Sequence, residues 1–202
     1  MYALRMASLV IAATTTALIA GFFYAYSASV NRGLARLDDA DYVAAMQAIN
    51  DTVRNPVFAL SFFGALLTLP LAAALHARDR SSRSAWLAAA AILYVVGGFG
   101  VTFALNVPLN DELARLDLRS AAAAQVSSAR ASYEDSWNAW NSVRTVASTL
   151  ALMCIVGAAL ASPGSDPAPW RARSDGNQRR VSRLLRRARR ASGRRTLKAL
   201  SD

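Results

Sequence analysis

Trp137, Trp140, Asn141 and Arg144 stand three, four and seven residues apart, the spacing that gathers side chains on one face of a helix. Asn106 and Asn110 bracket Pro108 in the run Asn106-Val-Pro-Leu-Asn110, and Asn50 and Asn55 lie just before a long apolar stretch, at the same depth. One cation, several amides and two indoles at one level are the parts of a pocket for a flat, partly anionic organic molecule. Taken singly, the same residues read more plainly. The tryptophans fit an interfacial aromatic belt, and the asparagines fit helix caps or interhelical hydrogen bonds. Arg144 fits an ion pair with Asp135 or Glu134, or a lipid headgroup contact.

Other chemistries find no residues to carry them. Bis-histidine haem ligation needs paired imidazoles, and the chain has only His76, which falls in a loop. Cys154 is the only cysteine; it lies in an apolar run and reads as a packing residue. There is no Cys-x-x-Cys, no Cys/His cluster for zinc or copper, no phosphate-binding glycine loop and no nucleophile elbow. No cofactor is expected.

The elements that must position these residues are four apolar runs, Met6–Tyr26, Val57–Leu75, Ala85–Leu105 and Val143–Ala161. Each matches the length of about 20 residues that a helix needs to cross the hydrocarbon of a bilayer. None holds Asp, Glu, Lys or His in its interior, which also argues against an intramembrane carboxylate relay. Arg144 touches the fourth run only at its end, as expected when a charge at mid-bilayer costs roughly 2.5–3.5 kcal/mol. Ala25-Tyr26-Ser27-Ala28 offers small residues for signal cleavage, but the apolar stretch before it exceeds a signal core of about 7–15 residues and reads as a retained helix. The fold expected is all-α: a four-transmembrane-helix bundle over residues 1–162, with short loop helices. Gly97, Gly98 and Gly100 on the third run, and Gly157 and Ala161 on the fourth, are places where helices can approach closely. Asp39–Asn50 reads as a loop helix with an acidic first turn and Tyr42, Met46 and Ile49 on one face.

Charge fixes the expected orientation. Of 23 Lys and Arg against 13 Asp and Glu, residues 163–202 hold 12 basic and 3 acidic ones, so the rest of the chain is nearly neutral. The tail, the short second loop (Arg78, Arg80, Arg83) and Arg5 share one side of a four-span protein, and the positive-inside rule makes that side cytoplasmic. Both termini are then cytoplasmic, the membrane is the plasma (inner) membrane, and the candidate pocket faces outward. Residues 162–169 read as a breaker-rich linker. Beyond them Val181, Leu184, Leu185 and Ala188 form an apolar stripe among Arg179, Arg180, Arg183, Arg186, Arg187 and Arg190. That pattern is a basic amphipathic helix, suited to anionic lipid headgroups, with each nearby Arg adding about 1 kcal/mol. Nucleic acid is the competing partner for such an arginine cluster, and a tail tethered to a bilayer meets lipid first. A solvated, disordered tail also fits the composition.

In Met46-Gln-Ala-Ile-Asn50, Asn55-Pro56, Asn106-Val-Pro-Leu-Asn110 and Trp137 to Arg144, placed in that order between four hydrophobic spans, the chain resembles the DUF1772, or anthrone oxygenase-like, family over about residues 5–162. The resemblance implies a four-helix membrane protein, and in some fungal members oxidation of anthrones to anthraquinones without metal or flavin. Related proteins often carry a histidine beside the Asn141 position, where this chain has Ser142. On that resemblance a phenolic substrate would lose a proton to Asp111 or Asp135, or would enter already ionised, and Arg144, Asn106 and Asn141 would stabilise the enolate. Asn50, Asn106, Asn110, Trp137 and Trp140 would line the binding site for a small aromatic ligand. The alternative is a non-catalytic membrane protein that binds a small molecule or lipid. A transporter is less in keeping with a chain that shows neither internal repeats nor polar midplane breaks.

Overall fold

A computed structural model describes residues 2–78 and 82–161. The linker and the arginine-rich tail, with Arg179, Arg180, Arg183, Arg186, Arg187 and Arg190, lie outside the described residues, as does Arg80.

The described residues form helices and no strand. Helix α1 (Tyr2–Ala25) runs through a π-helical turn, π1 (Tyr26–Val30), into the short α2 (Asn31–Leu34). The loop helix α3 (Asp39–Thr52) follows, then α4 (Pro56–His76). A continuous rod comes next, made of α5 (Ser82–Ile92), π2 (Leu93–Gly100), π3 (Thr102–Asn106) and α6 (Val107–Ala114). Helix α7 (Ala123–Leu160) closes the bundle. Four of these stretches, Ala3–Leu34, Pro56–His76, Ser82–Ala114 and Ala123–Leu160, are long and apolar enough to cross a membrane. The chain is a multi-pass membrane protein.

Sequence signals set the boundaries. Asp38 caps α3 by accepting from the Asp41 amide at 2.9 Å. Asn55 caps α4, its Oδ1 accepting from Val57 N at 2.9 Å and Phe58 N at 3.0 Å, and Pro56 fills the first turn where no N–H is needed. Gln125 Oε1 accepts from the Ala122 amide at 2.8 Å at the start of α7. At the other end of α7, Arg83 donates to the carbonyls of Ala158 at 2.9 Å and Ala161 at 2.8 Å, which satisfies terminal acceptors and opposes the helix dipole.

Small residues make the contacts expected of them. A Cβ on Gly97 would overlap the Ala147 side chain, and one on Gly157 would sit 3.2 Å from the Trp86 ring. The third rod and α7 therefore meet nearly backbone to backbone. The bundle core is built from Leu9, Ile19, Phe23, Phe62, Leu69, Leu87, Tyr94 and Ile155. Leu18, Val57, Leu60, Leu67 and Leu160 are more than 60 % exposed, the lipid-facing surface of such a bundle.

One expectation is corrected: His76 is not in a loop. It ends α4, is 1 % exposed, and its Nδ1 lies 2.9 Å from the Ala72 carbonyl oxygen. Pro108 does not end the third helix, because it occupies the first turn of α6 directly after the wide turn of π3. The stretch from Asn106 to Ser142 is mostly helical: α6 continues the third rod, and α7 begins at Ala123, 20 residues before the apolar run. At about 1.5 Å per residue α7 is about 57 Å long, roughly twice the hydrocarbon thickness.

The first half of α7 therefore belongs to a second packing layer. With α3 and α6 it forms a cap on one end of the bundle, with its own core of Tyr42, Val43, Met46, Leu113, Val126, Tyr133 and Trp137. Arg130 clamps this cap. It donates to the carbonyls of Leu37 at 2.8 Å and Ala35 at 3.3 Å, to Asp39 at 3.1 Å and to Glu134 at 2.7 Å, and its guanidinium lies 4.5 Å from the Tyr42 ring centre. Burial pushes the Tyr42 phenol up from its ordinary range, so it packs as a neutral ring.

Candidate functional site

Between the bundle and its cap lies a cavity of about 800 Å³. Its apolar wall is a set of stacked and tilted rings: Phe22, Phe58, Phe62, Phe63 and Phe103, with centroids 5.2–6.2 Å apart where they touch. Its polar groups enter from every element around it. Tyr26 comes from π1, Asn50 from α3, Thr102 and Asn106 from π3, Asn110 and Asp111 from α6, and Trp137 and Arg144 from α7. The π-helical turns matter here. They carry three of the lining residues, Tyr26 on π1 and Thr102 and Asn106 on π3.

Arg144 is the centre of the arrangement. It is only 6 % exposed. Its Nη2 donates to Asn141 Oδ1 at 2.9 Å and its Nη1 to Thr102 Oγ1 at 3.4 Å. The guanidinium carbon stands 4.4 Å from the Phe23 ring centre and 5.2 Å from that of Trp137. Cation–π contacts of this kind contribute about 0.5–2 kcal/mol each, well short of what burying a cation costs. The expected ion pair to Asp135 or Glu134 does not form: Glu134 is bound to Arg130, and among the described residues no carboxylate pairs with Arg144. Its Nε is buried without any partner. A buried guanidinium beside a cavity, with no anion of its own, is a site for an anion.

Asn141 does not line the cavity; it holds Arg144 from behind. Its Nδ2 donates to the Phe23 carbonyl at 3.1 Å and to Ser27 Oγ at 2.9 Å, so its Oδ1 is the atom left for the arginine. A comparable network orders the amides. Asn110 Oδ1 accepts from Tyr133 Oη and from Trp137 Nε1, both at 2.8 Å, and Asn50 Nδ2 donates to Tyr133 Oη at 3.2 Å. Asn106 Nδ2 donates to the Trp137 carbonyl at 3.4 Å, which leaves its Oδ1 buried and unpartnered. The cavity thus offers donors at Arg144 and an acceptor at Asn106 within one apolar shell.

Of the residues singled out from sequence, Asn50, Asn106, Asn110, Asp111, Trp137 and Arg144 share this cavity. Trp140 is half-buried and is not part of the lining, and Asp135 is exposed and faces elsewhere. Asp111 sits at the rim, 3.2 Å from Arg54, which also lines the cavity. Asn55 lines it too, with its side chain committed to capping α4. Ser142 is exposed, donates to the Asn138 carbonyl at 3.0 Å, and lines a separate shallow groove with Arg32 and Thr145. Sequence reasoning missed Tyr26, Arg54, Thr102 and the phenylalanine wall. Tyr26 and Thr102 were embedded in apolar runs, and only their polar tips could have drawn notice.

Residues 55–154, from the cap of α4 through the third rod to the middle of α7, match the family model described as anthrone oxygenase. The chain belongs to the anthrone oxygenase family. The matched segment includes Asn106, Asn110, Asp111, Trp137 and Arg144, whereas Phe22, Phe23 and Tyr26 on the first rod and Asn50 on α3 come from outside it. In this member of the anthrone oxygenase family, 6 of the 20 residues that line the cavity therefore come from outside the matched region. No curated protein and no solved structure matches the chain.

Proposed function

We propose that the cavity binds a small aromatic molecule carrying an ionised phenolic or enolic oxygen, and that the protein oxidises it with dioxygen without a cofactor. The observation that carries this reading is Arg144, buried, without a carboxylate partner, and lining a cavity walled by aromatic rings. Flat rings fit between the phenylalanines, and the oxyanion sits on Arg144, the only fixed cation among the deeply buried residues described.

For an anthrone-like substrate the reaction closes as follows. A methylene C–H flanked by two rings loses its proton to Asp111, the one carboxylate in the lining, and its electron pair is delocalised as an enolate held by Arg144. The carbon then bonds to dioxygen, the peroxide takes up the proton, and loss of water leaves a second carbonyl. The methylene is oxidised by four electrons, and dioxygen is reduced to one carbonyl oxygen and one water. Asn106, whose Oδ1 has no protein partner, accepts from a neighbouring hydroxyl and fixes the ring orientation. Asn141 acts through Arg144 as a positioning residue.

The same reading has the cap outside the cytoplasm and the basic tail, Arg179 to Arg190, on the anionic inner leaflet, in line with the charge distribution of the loops.

The test is thermal stability of the purified protein in detergent against polycyclic phenols, anthrones and quinones, followed by oxygen consumption. Stabilisation that is lost in Arg144→Ala, with turnover lost in parallel, supports both binding and catalysis. Stabilisation without oxygen uptake for any ligand that binds would leave a binding protein and overturn the oxygenase role.

A further inference from the structure

A second hollow, of about 590 Å³, opens on the seam between α1 and α4. It shares Phe22, Tyr26, Val53, Asn55 and Phe58 with the main cavity, so the two are neighbours with only these side chains between them. Its outer wall includes Leu18 and Val57, which are 61 % and 82 % exposed on the apolar, lipid-facing surface of two membrane-crossing helices. Towards the other end of the bundle the seam is shut. Thr15 Oγ1 lies 3.3 Å from Thr68 Oγ1, and a Cβ on Gly64 would be 2.9 Å from Thr15 Cγ2. The gap is thus confined to the level of Phe22 and Phe58, whose ring centres are 5.2 Å apart, beside the cavity that holds Arg144.

We propose that the ligand is an amphiphile drawn from the bilayer, its ionised aromatic head against Arg144 and a hydrocarbon tail leaving through the α1–α4 seam into lipid. This deepens the binding role proposed for the cavity and rests on it. An apolar chain in the seam lies along Leu18, Phe22, Val57 and Phe58, whereas the rim on the capped side carries the ion pair of Arg54 and Asp111. A ligand without a tail would fill the head cavity and leave an apolar hollow facing lipid. The same seam gives the head its entrance, because a molecule dissolved in the leaflet reaches the aromatic wall without passing the charged rim.

The experiment uses the full chain in lipid nanodiscs and two photoreactive naphthols with an eight-carbon chain, one with a diazirine at the chain end and one with it on the ring. The chain-end probe is expected to label the stretches around Leu18 and Val57, with at least tenfold less labelling under excess unlabelled alkyl phenol or in Arg144→Ala. The ring probe is expected to label the stretches around Phe63 and Phe103. Ring labelling of the cavity with chain-end labelling at α6 would overturn the seam and leave the head site standing. Seam labelling that persists in Arg144→Ala would be bulk lipid encounter and would also overturn the proposal. Absence of cavity labelling by the ring probe would remove the head site itself. Val57→Trp, on an exposed position that does not enter the core, provides the independent check. It is expected to weaken binding of the eight-carbon phenol about tenfold and leave the tail-less phenol unchanged; an equal effect on both, or none on either, would overturn the proposal.

Discussion

Arg144 and Asn141 are joined through a hydrogen bond of 2.9 Å whose direction is fixed by what lies behind it. The Asn141 amide nitrogen is spent on the Phe23 carbonyl and on Ser27, so only its carbonyl oxygen can face the arginine. The guanidinium is thereby oriented by a neutral group and keeps its full charge for a ligand.

Replacing that neutral group with a charged one should silence the site. Asn141→Asp puts a carboxylate beside Arg144 and supplies the anion that the ligand would otherwise provide. Affinity for an ionised phenol should fall at least tenfold, or about 1.4 kcal/mol, with Arg144 still in place. Isothermal titration in detergent would read this directly, and unchanged affinity would mean that the ligand does not sit on the guanidinium.

The buried cation should also weaken the empty protein. Arg144→Met fills similar space without a charge. Removal of an uncompensated charge should outweigh two lost hydrogen bonds and stabilise the ligand-free protein by about 1 kcal/mol. The melting temperature would rise while ligand-induced stabilisation disappears. A marked fall in melting temperature would show that Arg144 holds the fold together instead of serving the cavity.

Trp137 lies between the two networks: it lines the cavity, faces Arg144 at 5.2 Å and donates to Asn110 at 2.8 Å. Ligand binding should therefore change its fluorescence, and Trp137→Phe should remove most of the change even though Trp86, Trp140 and Trp170 remain. A response that survives the substitution would locate the ligand elsewhere.

Close approach of the third rod to α7 depends on Gly97. Gly97→Ala should destabilise the bundle by about 1–3 kcal/mol, since its methyl overlaps that of Ala147. Adding Ala147→Gly should recover part of the loss, less about 1 kcal/mol for a glycine within a helix. Failure of the pair to recover would rule out steric overlap as the cause.

Arg130 reaches the loop before α3 through four hydrogen-bond partners on the cap. Arg130→Ala should leave the four long helices in place and speed hydrogen exchange across residues 35–52, measured by mass spectrometry. Uniform exchange throughout the chain would show that cap and bundle unfold together.

The membrane architecture was legible because bilayer thickness imposes a length on apolar runs that few other folds require. Part of the site was legible as well. Trp137, Asn141 and Arg144 lie within an arc of about 60° around α7, Trp140 widens that arc to about 100°, and Asp135 stands about 160° from Trp137. Angular position alone could have set Asp135 aside. The rest depended on what spacing does not contain. Tyr26, Thr102 and Asn106 reach the cavity from π-helical turns, where regular pitch fails, and the first rod and α3 add their residues from distant parts of the chain. His76 resembled a loop residue because a positively charged segment follows it, but α4 runs one residue beyond the apolar run and buries it.

A π turn holds one residue more than an α turn. Relaxation of Thr102–Asn106 to ordinary pitch with all five residues kept would rotate everything after it by roughly a quarter turn. Asn110 and Asp111 would then point into lipid or into the neighbouring helix, with every side chain of the site still present in the sequence. Across this stretch the width of the turn, as much as the side chains of Thr102 and Asn106, sets what the cavity presents.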